Sequence, residues 1–146
     1  MYGPEDNFNP ESSHVIPALI RKFYNATLKN PHSNVSVWGT GAASREFLYV
    51  EDCARAIVMA MEGHNDPRPV NIGTGAEITI KELVLKISEH MSHKGKIIWR
   101  PEKPDGQPRR CLDTSKAKKL FDFDAKIDLD TGLKITVEWF KEQGKK

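Results

Sequence analysis

Val15, Ile16, Leu19, Ile20 and Phe23 recur three and four positions apart, which predicts a helix over 14–30 with Ser12 or Ser13 as cap and Pro31 as its stop. Pro17 then falls in the first turn, where a missing N–H costs little. "VSVW" at 35–38 and "EFLYV" at 46–50 read as strands. Asp52 is placed to cap a second helix, with Ala54, Ile57, Val58 and Met61 as its apolar stripe and Gly63 as its end. "PVNIG" at 69–73 reads as a third strand. Thr79 and Glu82 stand at capping-box spacing ahead of Leu83, Val84, Ile87 and Met91. "KIIW" at 96–99 reads as a fourth strand. After a loop rich in proline and charge come a short helix over 116–121 and a last one with Leu133, Val137 and Phe140 on one face, closed by Gly144.

Strands separated by helices predict an α/β architecture with some parallel pairing. A chain of 146 residues, 38% hydrophobic and 29% charged, is enough for one domain with a core. The 22 basic and 20 acidic side chains are interspersed, so nothing marks an electrostatic nucleic-acid binder. The apolar runs fall well short of the roughly 20 residues of a spanning helix. Cys53 and Cys111 are unclustered, which suggests free thiols in a reducing, cytoplasmic setting.

Two glycine pairs, "GTGAAS" (39–44) and "GTGAEI" (73–78), begin like a dinucleotide fingerprint. Ser44 and Ile78 stand where its third glycine belongs, so both read as turn glycines. No Cys/His spacing suits zinc and no Gly-x-Ser-x-Gly elbow is present. His32, His64, His90 and His93 read as solvated residues of loops and helix ends. His14 lies at a helix start, where free N–H groups favour anions, and both a surface role and a site role stay open. Arg45, at the entrance of a strand, and Lys103, Arg109 and Arg110, in a loop shaped by prolines and Gly106, are either solvated charges or phosphate ligands.

"REFLYVEDCARA" resembles the extended short-chain dehydrogenase/reductases, in which such a segment leads through a strand to an aspartate-capped helix. "YGPEDNFNPESSHVIPALIRKF", "VWGTG" and "KPDGQPRRCLD" together are similar to the GDP-L-fucose synthases, over almost the whole chain. The resemblance implies the C-terminal, substrate-binding part of an NAD(P)-binding Rossmann-like enzyme, a single region over 1–146 that lacks the N-terminal cofactor half. The complete enzyme of that family converts GDP-4-keto-6-deoxymannose to GDP-L-fucose by epimerisation at C3 and C5 and NADPH-dependent reduction at C4. Four residues after Tyr2, Tyr24 and Tyr49 come Asp6, Leu28 and Cys53, so the Tyr-x-x-x-Lys of the reducing apparatus is not in this sequence.

By position, the resemblance makes His14 an acid/base of epimerisation and Arg45 a ligand of the diphosphate. It places Asn7 and Trp38 at the sugar-nucleotide site and Lys103 near the nucleotide. Lys22 aligns where some members carry arginine, and Trp38 is equally well read as a core residue. A GDP-sugar is the implied substrate. NADPH serves the complete enzyme, and this chain alone is expected to bind none and to be inactive. An apolar face and strand edge left by the missing half predict a homo-oligomer, with neither nucleic acid nor membrane as partner. Two further readings stay open: the C-terminal part of another NAD(P)-dependent nucleotide-sugar epimerase or dehydratase, and a non-catalytic binding module.

Overall fold

Five helices and five short strands are interspersed along residues 1–144, the part of the chain that the computed structural model describes. Helix α1 (Val15–Lys29) buries Ile16, Leu19, Ile20 and Phe23, the stripe its spacing predicts. His14, rather than a serine, occupies the N-cap position, and its side chain makes no cap bond. β1 (Val35–Trp38) buries Val35 and Val37 and leaves Trp38 outside. β2 (Ser44–Glu46) is followed by an extended stretch tied at Tyr49 to Tyr2 by an isolated parallel bridge. The sequence places a strand over 46–50, yet helix α2 (Val50–Gly63) already starts at Val50.

Asp52 therefore lies inside the first turn of α2 and is not its cap. It is 2% exposed, and its carboxylate accepts from the N–H groups of Lys126 and Ile127, both at 2.8 Å, and from Arg55 at 2.7 Å. Burial alone raises its pKa; the Ile127 N–H, the Arg55 side chain and the Lys126 N–H outweigh that and hold it below the usual carboxylate value. The expected stripe of α2 does not face a core. Ile57 is 63% and Met61 77% exposed, with Ala54 and Val58 exposed beside them, while Asp52 and Ala56 are the buried residues of the helix.

β3 (Glu77–Thr79) leads into α3 (Ile80–His90), which starts with the full Thr79/Glu82 capping box. β4 (Ile97–Arg100), β5 (Arg109–Arg110), α4 (Ser115–Phe121) and α5 (Leu129–Gln143) complete the order. β1 and β4 form a parallel pair in which Val37 faces Trp99. β2 is the centre of a second sheet, antiparallel to β3 and parallel to β5. Residues 69–73 form no strand, because no strand lies beside them among the described residues; Val70 and Ile72 instead pack into a small cluster around Leu48, Ala56, Ala117 and Phe123. The main core lies between α1, α3 and α5 and the inner side of β1, with Phe23, Leu83, Ile87 and Leu133 fully buried. Phe8 stacks on Phe140 with ring centroids 4.4 Å apart, which fixes the loop leading to His14.

Candidate functional site

The register of β2 and β5 brings two of the site's cations together. Arg45 pairs with Arg110 of the parallel strand β5, and both side chains line a cleft of about 620 Å³ together with His14, Trp38, Asp105 and the apolar Phe47, Leu48 and Ile72. Like charges directly opposite on neighbouring strands repel. Arg109, which the sequence groups with them, is taken up elsewhere: its Nε donates to Glu77 at 2.9 Å, and Ser44 Oγ donates to the same carboxylate at 2.7 Å. Among the described residues the Arg45 side chain donates only to the carbonyl of Ser44, at 2.6 Å. Among the described residues neither Arg45, Lys103 nor Arg110 is in an ion pair. Lys103 lies over the face of Trp38, its Nζ 5.7 Å from the ring centroid. Trp38 is 64% exposed, so the core role that its strand suggests does not hold; the residue stands where β1 gives way to the Gly39 turn.

Both glycine pairs act as nests for carboxylates of this chain. Asp105 accepts from the Thr40 N–H at 2.7 Å and from the Thr40 hydroxyl at 2.6 Å. Gly39 and Gly41 have φ of +78° and +79°, and a Cβ on Gly39 would lie 2.0 Å from Asp105 Oδ1. These hydrogen bonds, led by the Thr40 hydroxyl, lower the pKa of Asp105. In the second turn, Glu46 Oε1 accepts from the N–H of Thr74 and, at 3.0 Å, of Gly75, and its Oε2 from Leu112 N–H at 2.7 Å. Neither turn fits the pyrophosphate of a dinucleotide, since each already holds an anion where that group would sit.

His14 is exposed on the cleft wall, and its side chain has no hydrogen-bond partner among the described residues. Lys22 belongs to a second cleft, of about 590 Å³, which shares Val15, Trp38 and Ile80 with the first. The ammonium of Lys22 donates to Ser36 O at 2.9 Å, and its pKa is lowered by burial and by Arg21. Asn7 lines neither cleft. Its amide donates to Ser12 Oγ at 3.0 Å and accepts from Asn9 N–H at 3.0 Å, which folds the loop ahead of His14.

Cys53 is half-buried on the cleft wall. His93 is not merely solvated: its Nε2 is 2.7 Å from Ser33 O and its Nδ1 is 3.3 Å from Ser88 Oγ. His90 lies 3.3 Å from Asp130. Among the described residues no group of three or more His, Cys, Asp or Glu side chains is placed for a metal, and no helix is long and apolar enough to cross a membrane.

Comparison with known proteins identifies the family and the fold. The profile of the NAD dependent epimerase/dehydratase family matches residues 1–73. The chain is 45% identical over 142 residues to the "Probable GDP-L-fucose synthase 1" of Oryza sativa subsp. japonica, covering 97% of this chain and 43% of that protein. Against the GDP-L-fucose synthase of Escherichia coli the identity is 42%, covering 97% and 46%. The crystal structure of a GDP-L-fucose synthetase from Naegleria fowleri, bound to NADP, superposes with a TM-score of 0.92 at 29% identity, over 99% of this chain and 45% of that one. A Thermotoga maritima UDP-glucose 4-epimerase, bound to UDP-glucose, superposes with a TM-score of 0.84 at 29% identity, over 97% and 43%. The chain thus spans less than half the length of these relatives, with an α/β fold that matches part of theirs. It belongs to the NAD dependent epimerase/dehydratase family.

Proposed function

We propose that this chain is the GDP-sugar-binding part of a cytoplasmic GDP-L-fucose synthase, with the nucleotide diphosphate held between Arg45 and Arg110. The observation that carries this reading is the register of β2 and β5, which sets side by side on one cleft two arginines that have no acidic partner among the described residues. Guanidinium groups bind phosphate through two parallel N–H donors, and an anion between them removes their mutual repulsion. Trp38, with Lys103 above it, forms the wall between the two clefts. A ligand with a charged middle and two different ends suits this layout, with the sugar toward His14 and the base toward Lys22.

In the complete enzyme, C3 and C5 of the sugar flank the C4 ketone, so enolate formation acidifies their protons. His14 is the acid/base that returns a proton on the face opposite to the one from which it was taken; an imidazole has one ring nitrogen that can donate and one that can accept. Asn7 acts indirectly, by folding the loop that presents His14. NADPH supplies the hydride for reduction at C4 in the complete enzyme, and the filled glycine turns of this chain give it no pyrophosphate cradle. The chain alone is inactive. Its exposed Ile57 and Met61 and the unpaired segment 69–73 support self-association in the absence of a covering domain.

The preference for guanine over uracil rests on the stronger likeness in sequence to GDP-L-fucose synthases, since the solved GDP- and UDP-sugar enzymes match this fold at equal identity. Calorimetric titration of GDP and UDP into the chain and into Arg45→Ala tests the reading. Saturable heat with GDP that weakens in the variant supports it. Equal binding of UDP points to another nucleotide-sugar enzyme, and no heat with either nucleotide overturns the reading for this chain.

A further inference from the structure

The loop between β4 and β5 crosses the cleft with little to hold it. Residues 101–110 are exposed throughout. At one end the Lys103 N–H donates to Arg100 O at 3.0 Å, and at the other the Ser44 N–H donates to Pro108 O at 2.9 Å. Between these points the loop's hydrogen bonds, among the described residues, all run through the Asp105 carboxylate to the Gly39–Gly41 turn. That turn is shaped to receive it: Thr40 gives two donors, and the glycines on either side hold positive φ in the room a side chain would fill.

Asp105 nevertheless lines the same cleft as Arg45 and Arg110. A carboxylate beside a diphosphate site is unfavourable by simple Coulomb repulsion, so its charge calls for another explanation. Glu46 offers one. It binds the second glycine turn in the same way and joins that turn to β2. The chain thus uses the same device twice, a carboxylate in a Gly-Thr-Gly turn, to fasten one segment to another.

We propose that Asp105 is a positioning residue for the nucleotide site. By anchoring the β4–β5 loop to Thr40 it fixes Lys103 over Trp38 and brings Gly106 against Arg45; a Cβ built on Gly106 lies 3.4 Å from that guanidinium. The inference rests on the diphosphate reading above and adds to it the residue that sets the spacing of its cations.

Asp105→Ala and Asp105→Asn separate positioning from charge. Asparagine keeps an acceptor for the Thr40 N–H and offers the Thr40 hydroxyl an N–H donor in place of the acceptor it now has, while the charge is lost. Two measurements apply: amide hydrogen exchange at Thr40, Lys103 and residues 105–107 of the ligand-free chain, and the Kd for GDP. Positioning predicts faster exchange in Asp105→Ala and a Kd raised about tenfold, the size of one charge-assisted hydrogen bond. Asp105→Asn then stays within about twofold of the parent, since it still ties the loop to Thr40 at two points, with the hydroxyl bond reversed in direction. Tighter or unchanged GDP binding in both variants, or unchanged exchange in Asp105→Ala, overturns the proposal. Should the parent chain bind no GDP, the functional reading fails, and the exchange data alone decide the role of Asp105.

Discussion

Arg45 and Arg110 are register partners on adjacent parallel strands, and no carboxylate forms an ion pair with either among the described residues. Ion-paired Arg109, one residue away, shows that acidic partners are within reach of this sheet. The pair is therefore a repulsion kept in place on a cleft wall. Replacing Arg110 by Glu turns it into an attraction. Arg110→Glu is expected to leave the melting temperature unchanged or slightly raised while abolishing GDP binding. A variant that loses both stability and binding would mark Arg110 as structural.

Glu46 is the second feature open to direct test. Three backbone N–H groups, those of Thr74, Gly75 and Leu112, converge on its carboxylate. Glu46→Ala removes the shared acceptor of all three, two of them open to solvent, and is expected to cost about 1–2 kcal/mol, measurable by urea unfolding. Gly73→Ala is expected to destabilise as well, because its Cβ would lie 2.0 Å from Glu46 Oε1. A change below about 0.5 kcal/mol in both variants, the size of an ordinary surface substitution, would contradict this role.

Asp52 ties α2 to the segment ahead of α5, and its folded pKa lies below the unfolded value. A depressed carboxylate contributes stability that is complete above its unfolded pKa of about 3.9 and is lost as pH falls through the folded value. Stability should accordingly fall below about pH 4, and Asp52→Asn should flatten that part of the curve. Asp52→Ala at neutral pH should cost about 3 kcal/mol, because Arg55 loses its carboxylate partner and two N–H groups lose their acceptor. Parallel acid-unfolding curves for parent and Asp52→Asn would rule the account out.

The exposed face of α2 predicts concentration-dependent association. Sedimentation velocity should show oligomers in the parent chain and a shift toward monomer in Ile57→Glu/Met61→Lys. A monodisperse parent would remove the case for self-association through α2.

The helices are legible in the sequence because each carries its own local signals: the stripe of α1, the capping box of α3, the glycine after α5. Arg45 and Arg110 stand out in the sequence as basic residues outside the helices, and the structure places both on one cleft. What escapes is set by partners far along the chain. Asp105 meets Thr40 across 65 positions and Glu46 meets Gly75 across 29, so nothing near either glycine pair shows that its turn is filled. Likewise nothing local separates Arg109 from Arg110, whose fates depend on which one meets Glu77. Residues 69–73 fit a strand pattern, but a strand also needs a neighbour. For α2, periodicity marks an apolar stripe without saying what covers it.

At 16.5 kDa the chain is small enough for its arginine side chains to be observed individually by NMR. Titrating GDP while following the Nε–Hε signals tests the central claim most directly. Saturable shifts are expected at Arg45 and Arg110 with the same apparent Kd, while Arg68 and Arg109, held by Asp66 and Glu77, stay in place. Shifts at Arg109 without Arg45, or no saturable shift at either Arg45 or Arg110, would contradict it.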